Sequence, residues 1–549
     1  MITTTVSRPT TSSLHIRLRR AYGGRIANAA TPSSTALRSR FASALLVLAA
    51  LAAISSATAA AATPVTRTNV VVYITDDESW LERSAYGWSN IPTPHFDRVA
   101  REGVLFTRGY TSASSCAPSR AALLTGRNFW ELEQGAFIQA WLPAKFTTLP
   151  DLMEAGGYHA GYTAKGWGPG VIPPESGRKR NPAGDAYNRL KRKTNEPGIN
   201  PIDYAANFAD FLKARKAGQP FWFWVGCTEP HTPCSKENHQ KLAEKHGLGL
   251  DAIKVPGFLP DTPGVRRSRA DMLYEVCHAD EDLGRILKIL EDRGELANTL
   301  LIVTADNGTQ VLRSKTNLHD WGVRVPLAIM WPARVKGGRR VDDFVNFADL
   351  APTMLEAAGL PVPAGMSGRS IMDVLTSGAA GRVGPARGWT TAGIEWHGED
   401  ENISIAARMI RDERYQYIVN YSTTPRRKAV PARQLPDSAY AKTAETGNEI
   451  DLVAHHPNHP AVRMFTELFV KPRPREELYD CEADPWELKN LADSPAHAAV
   501  KARLRAQLEA YQRQTKDPRI TGDMATFDQA RKYVLDRKFG PGGYGEREK

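Results

Sequence analysis

Cysteine is scarce in this chain: there are five in 549 residues, with no CxxC pair and no cluster of cysteine with histidine. That pattern gives no sign of a structural zinc site. The five are Cys116, Cys227, Cys234, Cys277 and Cys481. In an exported protein the oxidising surroundings allow four of them to pair and leave one over, although their spacing does not say which.

Acidic residues are absent from residues 1–62, which carry seven arginines. The apolar run FASALLVLAALAAI follows this basic region, and small Ala-x-Ala sites come after it. This order is typical of a secretory signal peptide. The run is shorter than the roughly 20 apolar residues of a membrane-spanning helix, so an uncleaved anchor is the weaker alternative. We therefore expect an exported protein, periplasmic or extracellular, with residues 1–62 as its leader.

The chain outside the leader also lacks a large excess of positive charge. The net charge of the whole chain is +11, and about +4 remains for residues 63–549 without the seven leader arginines. Nucleic-acid-binding proteins carry a concentrated basic face or a known reading motif, and the sequence indicates no such partner. The composition, 42% hydrophobic and 24% charged, is typical of a soluble globular protein.

Four apolar runs are predicted to be buried strands, and each ends in polar residues. The runs are NVVVYIT, HAGYTA, FWFWVGC and TLLIVTA, followed by Asp76-Asp77, by Lys165, by Thr-Glu-Pro-His231 and by Asp306-Asn307. Helical patterns lie between them. This alternation predicts an α/β fold with a large, mostly parallel sheet covered by helices. Ligands bind beyond the carboxyl ends of such strands, so the polar residues predict one shared site.

The pattern changes near residue 375. Residues 63–375 are predicted to form the large domain, and residues 376–549 a smaller α+β domain. The second part has shorter strand-like pieces, RMIRDERYQYIVNY, and a helical stretch, HAAVKARLRAQLEAYQRQ. A long basic loop is predicted over residues 171–198, either bordering the site or as a solvated surface excursion.

The stretch SSCAPSRAALLTGR places Cys116 just ahead of a predicted helix. Pro118 suits the first helical turn, and Gly126 is a helix stop. Backbone N–H groups favour an anion at such a helix start, and Arg120 lies one turn on. The same setting lowers the pKa of a cysteine, so a thiolate nucleophile is a first hypothesis, although no thiol-hydrolase context accompanies it.

Cys-Ala-Pro-Ser-Arg followed by Leu-Thr-Gly-Arg resembles the signature of the type I, formylglycine-dependent sulfatases. The resemblance covers residues 66–520. It implies that a formylglycine-generating or other sulfatase-maturing enzyme reads this motif and oxidises Cys116 to formylglycine, whose hydrate attacks sulfur. It also implies an alkaline-phosphatase-like sandwich, with the catalytic domain over residues 63–375 and a short antiparallel sheet in the C-terminal domain.

Two segments, VVVYITDDES and LLIVTADNG, resemble the family's metal-binding strands. The resemblance implies a divalent cation held by oxygen ligands, with the modified Cys116 beside it. Hard oxygen ligands suit Ca²⁺, with Mg²⁺ as the alternative for a tighter cage. The implied metal residues are Asp76, Asp77, Cys116, Asp306 and Asn307.

The remaining site residues also follow from the resemblance. Arg120, Lys165 and Lys315 are the cations that stabilise charge on the sulfate oxygens, and both lysines bind substrate. His231 binds substrate and is placed to protonate the leaving atom. A carboxylate such as Asp306, with a metal-bound oxygen, is implied as the group that deprotonates the attacking hydroxyl.

One motif departs from the family pattern. Many sulfatases carry Gly-Lys-Trp-His where this chain has Ala-Lys-Gly-Trp-Gly, so Trp167 or Gly168 stands in place of a histidine. Either another residue supplies the missing group, with His319 as the candidate for substrate binding, or the enzyme acts more weakly on generic esters.

Several segments resemble the heparan N-sulfatase (sulfamidase) branch, chiefly IKVPGFLPDTPGVRRSRADMLYEV and SKTNLHDWGVRVPLAI. The implied substrate is a sulfated saccharide of heparan or heparin, and the implied reaction removes sulfate from the nitrogen of a terminal glucosamine. Nitrogen is a poor leaving group unless protonated, which gives His231 a role as general acid.

Three other functions stay open at this stage. The first is an O-sulfatase acting on another sulfated glycan or an aryl sulfate, and the second is a phosphoester or phosphonate hydrolase of the same superfamily. The third is a catalytically silent glycan-binding protein, which the joint presence of Cys116 and the metal carboxylates disfavours. Homodimers are common among exported enzymes of this size, although no residue pattern here points to one.

Overall fold

The structure is a computed structural model that describes residues 67–397, 405–422 and 434–539. The predicted leader, residues 1–62, lies outside the described residues. In the described part of the chain, no helix combines the length and the apolar character needed to cross a membrane. The division predicted near residue 375 stays a prediction.

The larger of two sheets has eight strands in the order β3-β4-β1-β5-β7-β2-β6, with β8 paired to β2. Its strands are β1 Asn69–Thr75, β2 Val104–Tyr110, β3 His159–Ala164, β4 Phe221–Gly226, β5 Thr299–Ala305, β6 Arg324–Val325, β7 Leu327–Met330 and β8 Arg339–Asn346. The four strands predicted from the apolar runs are β3, β4, β1 and β5. They are neighbours and pair in parallel, which confirms the prediction.

The strand registers bring four chain segments to one edge of the sheet. Ile74 of β1 pairs with Gly226 of β4, Gly226 pairs with Ala164 of β3, and Thr75 pairs with Ala305 of β5. The residues that follow these strands therefore emerge side by side. This register is the physical reason that residues far apart in sequence meet in one site.

Helices cover both faces of this sheet. The α-helices that precede the second sheet in the sequence are α1 Pro94–Glu102, α2 Cys116–Thr125, α3 Leu149–Ala155, α4 Tyr204–Ala214, α5 Asn238–His246, α6 Pro263–Asp292, α7 Asp320–Val323, α8 Leu350–Ala357 and α9 Met372–Thr376. Alternate residues of β1 face opposite cores: Val70 and Val72 pack with one cluster, and Val71 and Tyr73 with the other. Burial on both sides explains why these strands are apolar throughout.

The second sheet has four antiparallel strands in the order β12-β11-β10-β9. They are β9 Trp389–Ile394, β10 Ala407–Asp412, β11 Tyr415–Asn420 and β12 Glu476–Asp480. The later helices are α10 Tyr440–Thr446, α11 Glu449–His455, α12 Arg463–Val470, α13 Ala498–Gln514, α14 Pro518–Thr521 and α15 Ala525–Phe539. The short antiparallel sheet and the helix α13 are confirmed.

Helix α6 is much longer than its apolar periodicity indicates. The pattern is clear from about residue 279, whereas the helix begins at Pro263 with Thr262 as its N-cap. Polar residues in its first half, such as Arg269, Asp271 and Glu275, are buried, so the usual alternation of apolar and polar faces is lost there. All five cysteines are free thiols, and no disulfide forms.

Candidate active site and metal centre

Cys116 is the first residue of helix α2, and Ser115 is its N-cap. Gly126, in the left-handed conformation with φ 65°, ends the helix as predicted. Every residue of α2 is buried, and the Cys116 side chain is 1% exposed. The helix therefore presents its first residue inside the protein, at the edge where β1 and β5 end.

Three carboxylates surround Cys116. One ligand atom from each of Asp76, Asp77, Cys116 and Asp306 lies within 4.8 Å of the others, and all four residues are buried. The thiol of Cys116 donates to Asp76 Oδ1 at 3.4 Å and to Asp77 Oδ1 at 3.8 Å. Asp77 has a φ of 69°, a conformation rare for residues other than glycine, and its N–H donates to Asp306 Oδ1 at 3.1 Å. The strand ends thus converge as predicted.

Asn307 supplies the amide oxygen that a hard cation requires. Its Nδ2 donates to Asp77 Oδ1 at 2.7 Å, whereas its Oδ1 is buried and has no hydrogen-bond partner among the residues that the structure describes. Three clustered carboxylates and one unpartnered amide oxygen form an oxygen-rich donor set without histidine. This set fits Ca²⁺ or Mg²⁺, in agreement with the predicted metal residues.

Three cations balance the three carboxylates. Arg120 Nε donates to Asp306 Oδ2 at 2.8 Å, Lys315 Nζ donates to Asp77 Oδ2 at 2.5 Å, and Lys165 Nζ pairs with Asp76. A divalent cation held by these carboxylates would make the centre positive overall. Such a centre suits an anionic substrate and not a neutral one.

One nitrogen of the Arg120 guanidinium group makes no hydrogen bond to the described residues. Arg120 Nη1 donates to the carbonyl oxygens of Lys165 at 2.9 Å and Gly166 at 3.2 Å. Its Nη2 is buried, lies 3.8 Å from Asp76 Oδ1 and has no hydrogen-bond partner in the described part of the chain. A buried guanidinium donor without a partner is costly, so this atom is a candidate contact for a substrate oxygen.

The electrostatics of the centre rule out the thiolate hypothesis. Burial and the carboxylate of Asp306 raise the pKa of the Cys116 thiol well above its ordinary value. Burial also acts to raise the pKa of Asp76, but Lys165, His231 and Arg120 outweigh it and hold that pKa at about 2. The unmodified cysteine is therefore a neutral thiol beside the ionised Asp76, and the prediction of a low cysteine pKa is wrong.

His231 stands at the mouth of the centre. Its Nε2 lies 3.7 Å from Asp77 Oδ2, and its side chain is 37% exposed. Its Nδ1 lies 2.6 Å from the carbonyl oxygen of Thr232, which can only accept, so Nδ1 carries the proton of that bond. The Nε2 atom is therefore the one presented to the site.

His319 packs against strand β12 of the small sheet. It is buried at the start of α7, with Nε2 3.5 Å from Glu477 Oε2 on β12 and its ring packed against Tyr479 at 5.4 Å. Trp167, which together with Gly168 is a candidate for the position of the family's histidine, belongs to the hydrophobic core and is 3% exposed. The proposed replacement of the missing histidine by His319 stays a prediction.

A further histidine near Cys116, His397, is not predicted from the sequence. His397 Nδ1 is hydrogen-bonded at 2.9 Å to Oγ of Ser115, the residue before Cys116, although the two residues are 282 positions apart. No motif marks His397, so no signal in the sequence alone identifies it.

A large cleft opens beside the centre. It encloses about 1260 Å³, and its lining includes Lys315, His319 and Thr232. Residues of α11, α12 and the segment before β12 also line it. Residues of the small sheet and its helices therefore shape the approach to the carboxylate centre.

Comparison with known proteins agrees with this geometry. The sequence model of the sulfatase family matches residues 68–360, and the model described as N-sulphoglucosamine sulphohydrolase, C-terminal, matches residues 308–434. Human N-sulphoglucosamine sulphohydrolase is 29% identical over 487 residues, which cover 82% of this chain and 91% of that protein. An ulvan-active sulfatase of Formosa agariphila is 27% identical over 446 residues, or 79% of this chain and 78% of that protein.

A structural relative shares the fold. A protein solved in complex with its substrate D-glucosamine-2-N,6-O-disulfate superposes with a TM-score of 0.60 at 19% identity, covering 82% of this chain and 98% of that one. The predicted α/β sandwich is confirmed as alkaline-phosphatase-like. The family match extends over more than half of the chain and includes the strands that carry the carboxylates. The chain therefore belongs to the sulfatase family and is a hydrolase of that family.

Proposed function

We propose that this sulfatase removes the sulfate group from the nitrogen of a terminal N-sulfoglucosamine in heparan sulfate or heparin. The observation that carries the proposal is the convergence of Cys116 with three buried carboxylates, three cations and His231. The similarity to human N-sulphoglucosamine sulphohydrolase over most of both chains supports the choice of a nitrogen-linked sulfate. The signal-peptide pattern supports an exported enzyme.

The site fits two groups that the family uses. Cys116 is the residue that a maturing enzyme would convert to formylglycine, and Asp76, Asp77, Asp306 and Asn307 would hold Ca²⁺ or Mg²⁺. When bound and formed, these groups supply a nucleophilic hydroxyl and a positive charge that polarises the sulfate.

The side chains of the chain itself bind and orient the sulfate. Lys165, Lys315 and the Nη2 atom of Arg120 are positioned around Cys116 by their carboxylate partners. Their positive charges stabilise the negative charge that builds up on the sulfate oxygens in the transition state. Because each cation is already held in place, little reorganisation is needed at the moment of reaction.

Two proton transfers accompany the cleavage of the S–N bond. The carboxylate oxygens within hydrogen-bond distance of the Cys116 side chain belong to Asp76 and Asp77, so these carboxylates are better placed than Asp306 to accept the proton of the attacking hydroxyl. On the other side, His231 donates a proton from Nε2 to the leaving nitrogen. General acid catalysis of this kind contributes about 10²–10⁴-fold in rate.

An O-sulfatase is the second candidate function. The similarity to an ulvan-active sulfatase over 79% of this chain favours it, because that relative's name describes action on a different sulfated polysaccharide. The two candidates share the carboxylate centre and differ only in the atom that leaves.

The test is sulfate release by protein produced together with a formylglycine-generating enzyme. N-sulfoglucosamine, 6-O-sulfated N-acetylglucosamine and an aryl sulfate are offered side by side, with Cys116→Ala as the inactive control. The proposal predicts the highest kcat/KM on N-sulfoglucosamine. A higher kcat/KM on either ester would overturn the N-sulfatase assignment in favour of an O-sulfatase.

A further inference from the structure

The cleft beside the active centre is larger than one sugar needs. Its volume of about 1260 Å³ exceeds the roughly 300–1,000 Å³ that is usual for small-molecule sites. Lys315, which contacts Asp77, is one of the lining residues, and residues of α6, α11, α12 and β12 line other parts. A substrate that reaches Lys315 with one sulfate therefore leaves most of the cleft for further sugar units.

Two arginines in the wall of this cleft have no carboxylate ion pair within the described part of the chain. Arg313 is 8% exposed; its Nη2 donates to the carbonyl oxygen of Glu487, and its Nε is buried without a hydrogen-bond partner among the described residues. Arg473 donates from Nη1 to Asn420 Oδ1 at 2.8 Å, and its Nε and Nη2 are buried and have no hydrogen-bond partner in the part of the chain that the structure describes. Both residues line the cleft. Buried charges of this kind normally have a counter-ion.

The nearest carboxylates are already engaged elsewhere. Glu477 accepts hydrogen bonds from Tyr479 Oη and Asn420 Nδ2, each at 2.6 Å, and has His319 at 3.5 Å. Glu487 accepts from the N–H of Asp320 at 2.7 Å and from the side-chain amide of Gln416. The carboxylate of Glu477 is thus shared between these partners and the charges of the two arginines, and neither guanidinium has a carboxylate of its own within the described residues.

Two other acids of the cleft lining, Asp451 and Glu467, have polar partners of their own. Asp451 accepts from the N–H of Asn448 at 3.1 Å at the start of α11, and Glu467 pairs with Arg463 and Lys471 at 3.5 Å. Burial lowers the pKa of Arg473 to about 10, which still leaves it charged near neutral pH. An anion is therefore the ligand chemistry that this wall favours.

We propose that Arg313 and Arg473 form a second anion subsite, which takes a carboxylate or sulfate on the sugar next to the one that loses its sulfate. The inference rests on the proposed function in one respect, that the substrate is a sulfated saccharide. It makes the preferred substrate an acidic oligosaccharide and not a single sulfated sugar. The guanidinium charges act on a ligand in the cleft even before a direct hydrogen bond forms, because the surrounding dielectric is lower than that of water.

The test compares two substrates that end in the same sulfated sugar: the single sugar, and a heparan sulfate tetrasaccharide with uronic acids. Arg473→Gln is expected to raise KM for the tetrasaccharide about 10-fold, as for the loss of a charged contact. The variant's kcat for the tetrasaccharide, and its KM and kcat for the single sugar, are expected to stay within twofold of those of the unaltered protein. Arg473→Lys restores most of the affinity.

The matched control is Arg267→Gln. Arg267 lines the same cleft but pairs with Glu445 at 3.7 Å, so its replacement is expected to leave both substrates unaffected. Equal effects of Arg473→Gln on the two substrates, or a change confined to kcat, would show a structural role and overturn the subsite. If an O-sulfate proves to be the one cleaved, the same comparison is made with sugars that carry that ester, so the subsite is judged separately from the N-sulfatase assignment.

A binding measurement identifies the anion without any turnover. The Cys116→Ala protein is titrated calorimetrically with the tetrasaccharide, with its carboxyl-reduced form and with its de-O-sulfated form. Each titration is repeated with the Arg473→Gln change added to the Cys116→Ala protein. If the two proteins bind one modified tetrasaccharide with equal affinity, the group that this modification removes is the group that the subsite binds. A tetrasaccharide that binds no more tightly than the single sugar would contradict the proposal.

Discussion

His231 Nε2 lies 3.7 Å from Asp77 Oδ2, while the Nδ1 atom of the same ring is held by the carbonyl oxygen of Thr232 at 2.6 Å. The ring is thereby fixed with one nitrogen toward the carboxylate centre and the other away from it. Since Asp77 also accepts from Lys315, the histidine and the lysine share one carboxylate. The proposed proton donor, His231, and the proposed sulfate-binding cation, Lys315, thus lie on the same carboxylate of Asp77.

This arrangement predicts a dependence on the leaving group. His231→Gln should lower kcat on N-sulfoglucosamine about 100-fold or more, because an unprotonated nitrogen leaves poorly. The same variant should lose less than about 10-fold on 4-nitrophenyl sulfate, whose phenolate leaves without help. The two substrates are compared under single-turnover conditions. An equal loss on both would show that His231 positions the sulfate and does not protonate the leaving atom.

The carboxylate centre predicts a metal that depends on Asp77 and Asp306. Asp77→Asn with Asp306→Asn removes two ionised ligands, so bound calcium measured after dialysis should fall from about one per chain to background. Asp292→Asn, which breaks only an exposed pair with Lys288, is the control and should keep its metal. A double variant that retains the metal would show that other residues form the cage.

Much of this centre was predictable from the sequence, because the four apolar runs end in polar residues and parallel strands end at one edge. Asp76, Asp77, Lys165 and Asp306 follow directly from that pattern, and the register of β1 with β5 confirms it. The resemblance to sulfatases added Cys116, whose surroundings by themselves suggested the wrong ionisation state. Local sequence does not show how deeply the first turn of α2 is buried, and burial is what raises the pKa of the thiol.

A buried ion-pair network is expected to stabilise the C-terminal part of the chain. Arg408, fully buried on β10, pairs with Asp517 at 2.7 Å and with Glu395 at 2.6 Å. Asp517→Asn removes one of the two carboxylates that balance the buried positive charge of Arg408. It should lower the free energy of unfolding by about 3 kcal/mol. Glu509→Gln, which removes an exposed pair with Arg505 on α13, should cost less than about 1 kcal/mol. Equal costs in urea unfolding would show that Arg408 does not need its partner.

A buried carboxyl group predicts a dependence of stability on pH. Burial, aided by Glu229, raises the pKa of Glu275 to about 8, and its Oε2 is buried without a partner. Because the pKa is higher in the folded state than in the unfolded state, the stabilisation is present at low pH and is lost as pH rises toward 8 and above. Glu275→Gln keeps the acceptor for Asn238 and removes the titration.

The expected readout is the difference in unfolding free energy between Glu275→Gln and the unaltered protein. Between pH 5.5 and 8.5 this difference should shift by about 3 kcal/mol in favour of the variant. Parallel pH profiles for the two proteins would mean that Glu275 ionises normally in the folded state.

The features that sequence reasoning missed depend on contacts between distant segments. His397 meets Ser115 across 282 positions, and Arg473 joins Arg313 in the wall of the cleft only because β12 and the loop after β5 meet. Neither residue belongs to a motif. The first half of α6 was missed for a related reason: polar side chains that find buried partners erase the periodicity by which a helix is predicted.

The measurement that tests the account most directly is turnover as a function of the state of Cys116. Protein is produced with graded amounts of a formylglycine-generating enzyme, the fraction of formylglycine in the Cys116 peptide is determined by mass spectrometry, and sulfate release from N-sulfoglucosamine is measured on the same preparations. The account predicts that kcat per chain rises in proportion to the formylglycine fraction and extrapolates to zero for the unmodified thiol. Full activity in a preparation whose Cys116 is entirely thiol would contradict it.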